Sequence, residues 1–132
     1  MVMRKHVVLT IKNKSEIIFL TLDSILYFQA DGNYCNVFFA DGSVLSTLTY
    51  QRAEIARMMD EQLPEDVRKD FMLLGKSYLI NKAYVLRVQP SRQLLTFRVN
   101  RFGTAKKISI KATTSALNLL IKQIGECPSG EE

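Results

Sequence analysis

Residues Phe71–Asn81 read FMLLGKSYLIN, and this stretch decides the fold. An apolar run at Phe71–Leu74 meets Gly75, then Lys76 and Ser77, and a second apolar run follows. Short apolar runs interrupted by glycine are typical of strands joined by a turn. The pattern predicts a strand that ends, a turn at Gly75 with Lys76 at its charged tip, and a chain that re-enters the fold.

The charge of the chain changes sign at this stretch. Residues 1–70 hold 8 Lys/Arg and 10 Asp/Glu, residues 71–125 hold 10 Lys/Arg and no acidic residue, and residues 126–132 hold 3 Glu. Protein surfaces ordinarily mix both signs, whereas a basic surface of one sign suits a polyanion, because each neutralised phosphate releases counterions. We therefore predict that residues 71–125 bind nucleic acid. A solvated basic surface without a partner is the simpler alternative.

Length and composition restrict the class of protein. The chain has 132 residues, of which 47% are hydrophobic, and this is enough for one globular domain with a core. No apolar run approaches the roughly 20 residues of a membrane span, and the first residues lack the apolar stretch of a secretory signal, so we expect none. Cys35 and Cys127 do not form a disulfide framework, so we expect a cytoplasmic protein without a membrane partner.

The first half of the chain is interpreted as a meander of short strands, too closely spaced for crossover helices. Glu16–Leu20 is so uniformly apolar that we expect it not to be half-exposed. Asp41–Gly42 predicts a two-residue type I′ hairpin turn. The predicted strands are His6–Ile11, Glu16–Leu20, Ile25–Ala30, Tyr34–Ala40 and Ser43–Thr47.

Helical spacing of apolar residues appears twice. It predicts a middle helix over Thr49–Met59, with Thr49 as N-cap, and a last helix from Thr113 or Thr114 to Ile124. The expected fold class is mainly β, an elongated arrangement of small antiparallel sheets with one middle helix and one C-terminal helix. The remaining strands are predicted at Ala83–Val88, Gln93–Asn100 and Lys107–Lys111, with a glycine-containing loop at Arg101–Lys106.

Signatures of catalysis are weak in this sequence. His6 is the single histidine, and Cys35 has no histidine in a recognisable signature. Gly75-Lys76-Ser77 is similar to the end of a phosphate-binding P-loop, but the required upstream glycine is absent. We therefore expect no catalytic residues, no cofactor and no metal site.

Three segments resemble one known family. Phe71 and Ser77–Asn81 match a motif of the LytTR DNA-binding domain of bacterial response regulators, with Lys76 in place of an arginine. Upstream, Asp23–Tyr34 is similar to the opening segment of that family. Downstream, Lys107–Ala112 stands in the place of the family's element before the last helix. The three segments occur in the family's order.

The resemblance implies loops that enter successive major grooves of promoter DNA carrying direct repeats. It assigns DNA contacts to the Lys76 loop, to the Asn33–Cys35 region and to the end of the Lys107–Ala112 element. The domain is expected at residues 15–124, between an N-terminal strand or extension at 1–14 and a disordered tail at 125–132. With the basic residues of the inferred loops, the expected DNA-binding residues are Lys76, Ser77, Asn33, Tyr34, Cys35, Arg101, Lys106, Lys107 and Lys111.

The favoured hypothesis is a sequence-specific double-stranded DNA-binding regulator of bacterial transcription, a response regulator of a two-component system that forms a homodimer on DNA. We expect no receiver domain before the motif, and a stand-alone regulator rather than an excised domain. Gly75 and Ala112 stand where the family has a histidine and an arginine, and they favour an alternative, a protein-interaction module without base readout.

A second alternative is binding of RNA or single strands by exposed aromatic residues of a β surface. Phe38, Phe39 and Phe97 are the candidates, and we expect at least two of them to lie in the core. For Asn81 we favour a role in a turn over contact with a base.

Overall fold

The structure, a computed structural model, describes residues 7–12, 14–101 and 104–125, and in these residues ten strands form three antiparallel sheets. A two-stranded ribbon contains β1 (Val8–Lys12) and β2 (Ile17–Thr21). The central sheet contains β3 (Ile25–Asp31), β4 (Tyr34–Phe39), β5 (Val44–Leu48), β6 (Phe71–Leu74) and β7 (Tyr78–Asn81). The third sheet contains β8 (Val85–Gln89), β9 (Leu94–Arg101) and β10 (Thr104–Lys111). The helices are α1 (Arg52–Gln62), the short α2 (Glu65–Arg68) and α3 (Thr114–Gly125). The predicted fold class, mainly β with a middle and a C-terminal helix, is confirmed.

The opening stretch forms a hairpin that extends the first meander. Strand order in the central sheet is β5-β4-β3-β7-β6, so β7 pairs with β3 and β6 lies at the edge. Gln29 of β3 lies opposite Tyr78, and Asp31 ends β3. The β3–β4 turn and the β6–β7 turn therefore lie at the same end of the central sheet.

Strand β3 is buried on both faces. Phe28 belongs to a core formed with the ribbon and α1, in which Leu79 of β7 also lies. Tyr27 belongs to a second core formed with the third sheet and α3, together with Ile80 of β7. Side chains alternate between faces along a strand, so successive residues of β3 and β7 enter different cores. The central sheet is the middle layer between these cores.

Tyr27 connects the central sheet to the third sheet. Its ring stacks on Phe38 at a centroid distance of 4.6 Å and on Phe97 at 5.2 Å. Burial, and then the neighbouring Tyr78, raise the pKa of Tyr27 to about 12. Phe97 is fully buried, and Phe38 and Phe39 are partly buried against the two cores, in keeping with the core role predicted for at least two of the three.

Asn81 holds the turn that follows β7, as predicted. Its side chain is only 3% exposed, its Nδ2 donates to the carbonyl of Ile25 at 3.0 Å, and its Oδ1 accepts from the amide of Ala83 at 3.0 Å. Hydrogen bonds at both ends of the buried amide offset the cost of removing it from water. Asn81 is therefore part of the scaffold and unable to contact a base.

The prediction that β2 is not half-exposed is wrong. Ile17 is 49% exposed and Phe19 is 68% exposed, while Leu20 is buried at 3%. The ribbon packs one face on the first core, and no described element covers the other. Apolar composition alone does not show how many faces of a strand are covered.

Three local predictions also need correction. Helix α1 is capped by Gln51, whose backbone amide donates to Glu54 Oε1 at 2.8 Å, and not by Thr49. At the β4–β5 turn only Gly42 has a positive φ, of 91°, whereas a type I′ turn also needs a positive φ at Asp41. The predicted loop at 101–106 is mostly strand, since β9 reaches Arg101 and β10 begins at Thr104, and residues 102 and 103 lie outside the described residues.

We predict that Phe28→Ala lowers the free energy of unfolding by about 3–5 kcal/mol, because it opens a cavity in a closely packed core. Phe19→Ala, on the uncovered face of the ribbon, should change it by no more than about 0.5–1 kcal/mol. Urea unfolding followed by circular dichroism measures both. Equal losses in the two variants would contradict the exposure of β2.

Candidate nucleic-acid interface

The turn between β6 and β7, Gly75–Ser77, has its backbone held from two sides. We call these three residues the Gly75 turn. Gly75 has a φ of +58°, a conformation that favours glycine. Arg52 Nε donates to the carbonyl of Lys76 at 2.8 Å, and the amide of Ala30 donates to the carbonyl of Ser77 at 2.7 Å. The side chains of Lys76 and Ser77 remain exposed, so a fixed backbone presents them to solvent.

Arg52 is a functional candidate that the sequence analysis missed. It is the first residue of α1, and its Nη1 also lies 3.5 Å from the carbonyl of Tyr78. A cation in the first turn of a helix opposes the helix dipole. That unfavourable position was the available signal that Arg52 has a partner elsewhere in the fold. Its role here is to position the Gly75 turn.

A groove of about 760 Å³ joins the Gly75 turn to the junction between β10 and α3. It brings Lys76 and Ser77 together with Lys111, which the chain places 35 and 34 residues later. Leu73 and Leu119, which are 44% and 58% exposed, form part of its apolar wall. The lining residues are Met72–Tyr78, Lys111–Thr113, Ser115, Ala116 and Leu119.

The turn between β3 and β4 lies beside the Gly75 turn at the same end of the central sheet. Asn33 is exposed in this turn, and Tyr34, the first residue of β4, is 45% exposed. Gly32 adopts a φ of +62°, which allows the tight reversal. The structure thus brings Asn33 and Tyr34 to the same end of the sheet as Lys76.

Cys35 does not have the position expected of a DNA contact. Its side chain is fully buried in the first core, opposite Leu48 on β5. Burial raises the pKa of the Cys35 thiol, Arg52 lowers that pKa, and Glu54 raises it. Strand alternation explains the correction, because the side chain after exposed Tyr34 must point to the other face of the sheet.

The remaining predicted residues lie on the third sheet. Lys107 and Lys111 are exposed on β10, on the same face of the strand. Arg101 ends β9 and Lys106 lies in β10, paired with Val99. The side chains of Arg101 and Lys106 lie outside the part of the molecule that the structure describes.

Two further kinds of site, a metal cluster and a membrane-spanning helix, are absent from the described residues. No group of three or more His, Cys, Asp or Glu side chains there could hold a metal ion. No helix in the same ranges is long and apolar enough to cross a membrane.

Comparison with known proteins identifies the family. The family model described as "LytTr DNA-binding domain" matches residues 15–120. The chain belongs to the LytTr DNA-binding domain family. Its fold is also similar to the LytTr DNA-binding domain of a protein described as a methyl-accepting/DNA response regulator from Bacillus cereus, with a TM-score of 0.57 and 17% identity over 92% of this chain and 99% of that one. No curated protein matches the chain.

The LytTr match includes the site described above but not the first strand. Strand β1 precedes residue 15, yet it pairs along its whole length with β2 inside the match. Gln62 at the end of α1 bonds both the amide and the carbonyl of Thr10 in β1, each at 2.9 Å. In this LytTr domain β1 is therefore joined to the matched region by backbone and side-chain hydrogen bonds.

We predict that Arg52→Ala lowers the free energy of unfolding by about 1–2 kcal/mol and speeds amide hydrogen exchange across residues 75–78, because the carbonyls of Lys76 and Tyr78 lose a cationic donor. Arg57→Ala, which removes an exposed arginine of the same helix, is the matched control and should change neither. Exchange followed by NMR tests the Gly75 turn directly. Unchanged exchange in Arg52→Ala would show that Arg52 does not hold the turn.

We also predict that the Cys35 thiol resists alkylation in the folded chain. Because its pKa is raised, the reactive thiolate is scarcer at pH 8 than in an ordinary cysteine, and burial blocks the reagent. In a Cys127→Ser background, iodoacetamide should modify the folded protein at least about tenfold more slowly than the urea-unfolded protein. Equal rates would place Cys35 at the surface.

Proposed function

We propose that this LytTr domain binds double-stranded DNA sequence-specifically, by loops inserted into successive major grooves, and acts as a bacterial transcription regulator. The observation that carries the proposal is the groove that unites Lys76, Ser77 and Lys111 beside the turn of Asn33 and Tyr34. Residues far apart in the sequence thus lie together at one end of the central sheet.

The Gly75 turn supplies the first contact. A B-DNA major groove is about 12 Å wide and displays acceptors on guanine that a lysine can reach. Lys76 offers a flexible cation, and the Ser77 hydroxyl can donate to or accept from a base or phosphate. Because Arg52 and Ala30 hold the turn backbone, little conformational entropy is lost when the turn meets DNA.

The β3–β4 turn and β10 supply the other contacts. Asn33 can form paired hydrogen bonds with adenine, and Tyr34 can contact the backbone or a base edge. Lys107 and Lys111 are suited to contacts with phosphates. The lysine ammonium is a point charge and lacks the paired N–H donors with which arginine recognises a base edge. We assign phosphate contacts to Arg101 and Lys106 as well. Cys35 is withdrawn from the set because its side chain is buried.

We propose that the protein acts in the bacterial cytoplasm as part of two-component signalling. Its DNA targets would be promoters that carry direct repeats. One domain would occupy each repeat, so two chains would be present on a complete site. Sedimentation of the protein with a duplex carrying one or two repeats gives the stoichiometry. A single chain on the two-repeat duplex would contradict the homodimer.

A protein-interaction module is the alternative that a specific observation favours. The groove beside Lys76 has exposed leucines in its wall, and Gly75 and Ala112 provide no side chain able to read bases. A defined protein partner together with equal affinity for every duplex would favour this alternative. Selection of bound duplexes from a random pool separates the two, since an enriched motif requires base readout.

We predict that Lys76→Ala weakens binding to the selected duplex about tenfold, because it removes a charge-assisted contact. The plot of log affinity against log salt should also become shallower by about one unit if the contact is to phosphate. Lys69→Ala, an exposed lysine of the acidic half, is the matched control. Fluorescence anisotropy at several salt concentrations measures both. Wild-type affinity in Lys76→Ala would show that the Gly75 turn does not touch DNA.

A further inference from the structure

We infer that the outer face of the third sheet is a second phosphate-binding surface, which holds the DNA backbone beside the site read by the turns. The inference rests on the proposed function, since it needs duplex DNA as the ligand. We call this surface the basic face, and it consists of Arg87, Thr96, Arg98, Lys107 and Ser109.

Strand register places these side chains on one face. Arg98 lies directly opposite Lys107, Thr96 lies opposite Ser109, and Arg87 of β8 lies opposite Thr96. Directly opposed residues of antiparallel strands share a face. The alternate residues of β9 (Leu95, Phe97 and Val99) point the other way and are buried in the second core.

The pair of Arg98 and Lys107 is unfavourable in the free protein. Opposed residues have Cβ atoms about 4.5–5.5 Å apart, and like charges there are destabilising. Both side chains are exposed, and among the described residues neither forms an ion pair. The sequence from 71 to 125 contains no acidic residue that could relieve the repulsion. An anion bound between the two side chains would remove it.

The centre of the basic face supplies one exposed hydroxyl, that of Ser109, beside the hydroxyl of Thr96, which is only 7% exposed. Thr96 Oγ1 on β9 and Ser109 Oγ on β10 lie 3.0 Å apart, and Arg87 of β8 lies opposite Thr96. Ser109 is exposed, so its hydroxyl can also bond an external oxygen. Cations beside hydroxyl donors are the groups that contact phosphate and sugar in protein–DNA complexes.

The basic face is continuous with the groove through β10. Lys111 lines the groove and points to the same side of β10 as Lys107 and Ser109. Four residues of a strand span about 13–14 Å, which equals about four base pairs of B-DNA at 3.4 Å each. The surface is therefore long enough to follow the DNA backbone over about four base pairs.

The test uses the full chain and two 30-base-pair duplexes, one carrying the selected site and one scrambled. The double variant Arg98→Ala with Lys107→Ala should lose roughly tenfold to thirtyfold in affinity at 0.15 M salt, equally on both duplexes, with a salt slope smaller by about two. When the site duplex is shortened to the recognised bases, the double variant and the wild type should bind with equal affinity, because the flanking phosphates are absent. Lys69→Ala is again the control, and its affinity should equal that of the wild type.

Stability without DNA distinguishes binding from a structural role. Because the variant relieves repulsion, its melting temperature should equal or exceed that of the wild type, whereas a structural pair would lower it. Arg98→Gln with Lys107→Gln keeps most of the side-chain length and tests the charge if the alanine variant unfolds.

Three results would overturn the inference. If the double variant binds like the wild type while Lys76→Ala loses site affinity, the basic face is not used, the phosphate contact assigned to Lys107 is lost with it, and DNA binding by the turns stands. If the loss is confined to the selected site, the face reads bases and not phosphates. If wild-type protein shows no salt-dependent duplex binding, the proposed function fails and the basic face fails with it.

Discussion

Burial of β3 on both faces is the constraint on which the rest of this structure depends. Phe28 fills one core and Tyr27 fills the other, and Leu79 and Ile80 of β7 repeat the division. A strand covered on both sides can carry no polar binding group along its length without a desolvation penalty. Exposed polar groups of the central strands are therefore found at the strand ends. The candidate interface lies at one such end because polar side chains of these strands can reach solvent there.

The two ends of the hairpin 71–81 are held by different means. At the buried end, Asn81 bonds the carbonyl of Ile25 and the amide of Ala83. At the exposed end, Arg52 and Ala30 bond the carbonyls of the Gly75 turn. Both devices supply partners to backbone carbonyls, and at the buried end an unsatisfied carbonyl would be costly. The hairpin is thus rigid on either side of its exposed lysine.

The basic residues concentrate in particular layers of the fold as well as in one half of the sequence. The half of the chain without acidic residues supplies the edge hairpin, the third sheet and α3. Apart from Leu79, its buried apolar residues lie in the second core. Arg98 and Lys107 are exposed on the outer face of the third sheet, and Lys76 and Lys111 line the groove. Repulsion such as that between Arg98 and Lys107 reduces stability, and two packed cores offset it. Membership of the LytTr DNA-binding domain family gives this arrangement a polyanionic ligand.

Local sequence determined the features that depend on near neighbours. Glycine, asparagine and aspartate marked the turns, short apolar runs marked most of the strands, and Asn81 was recognised as a turn residue. The charge asymmetry and the motif around Ser77 needed no structure either. Each of these signals is read within a few residues, where steric preference and hydrogen bonding act directly.

Only the tertiary structure decided which faces are covered and which distant residues meet. Cys35 is buried and Phe19 exposed, although both lie in apolar strands, because layers from elsewhere in the chain cover one and not the other. Arg52 supports Lys76 across 24 residues, and Lys111 shares a groove with it, through pairing of non-adjacent strands. Such contacts depend on how separate sheets and helices pack, and no local pattern encodes them.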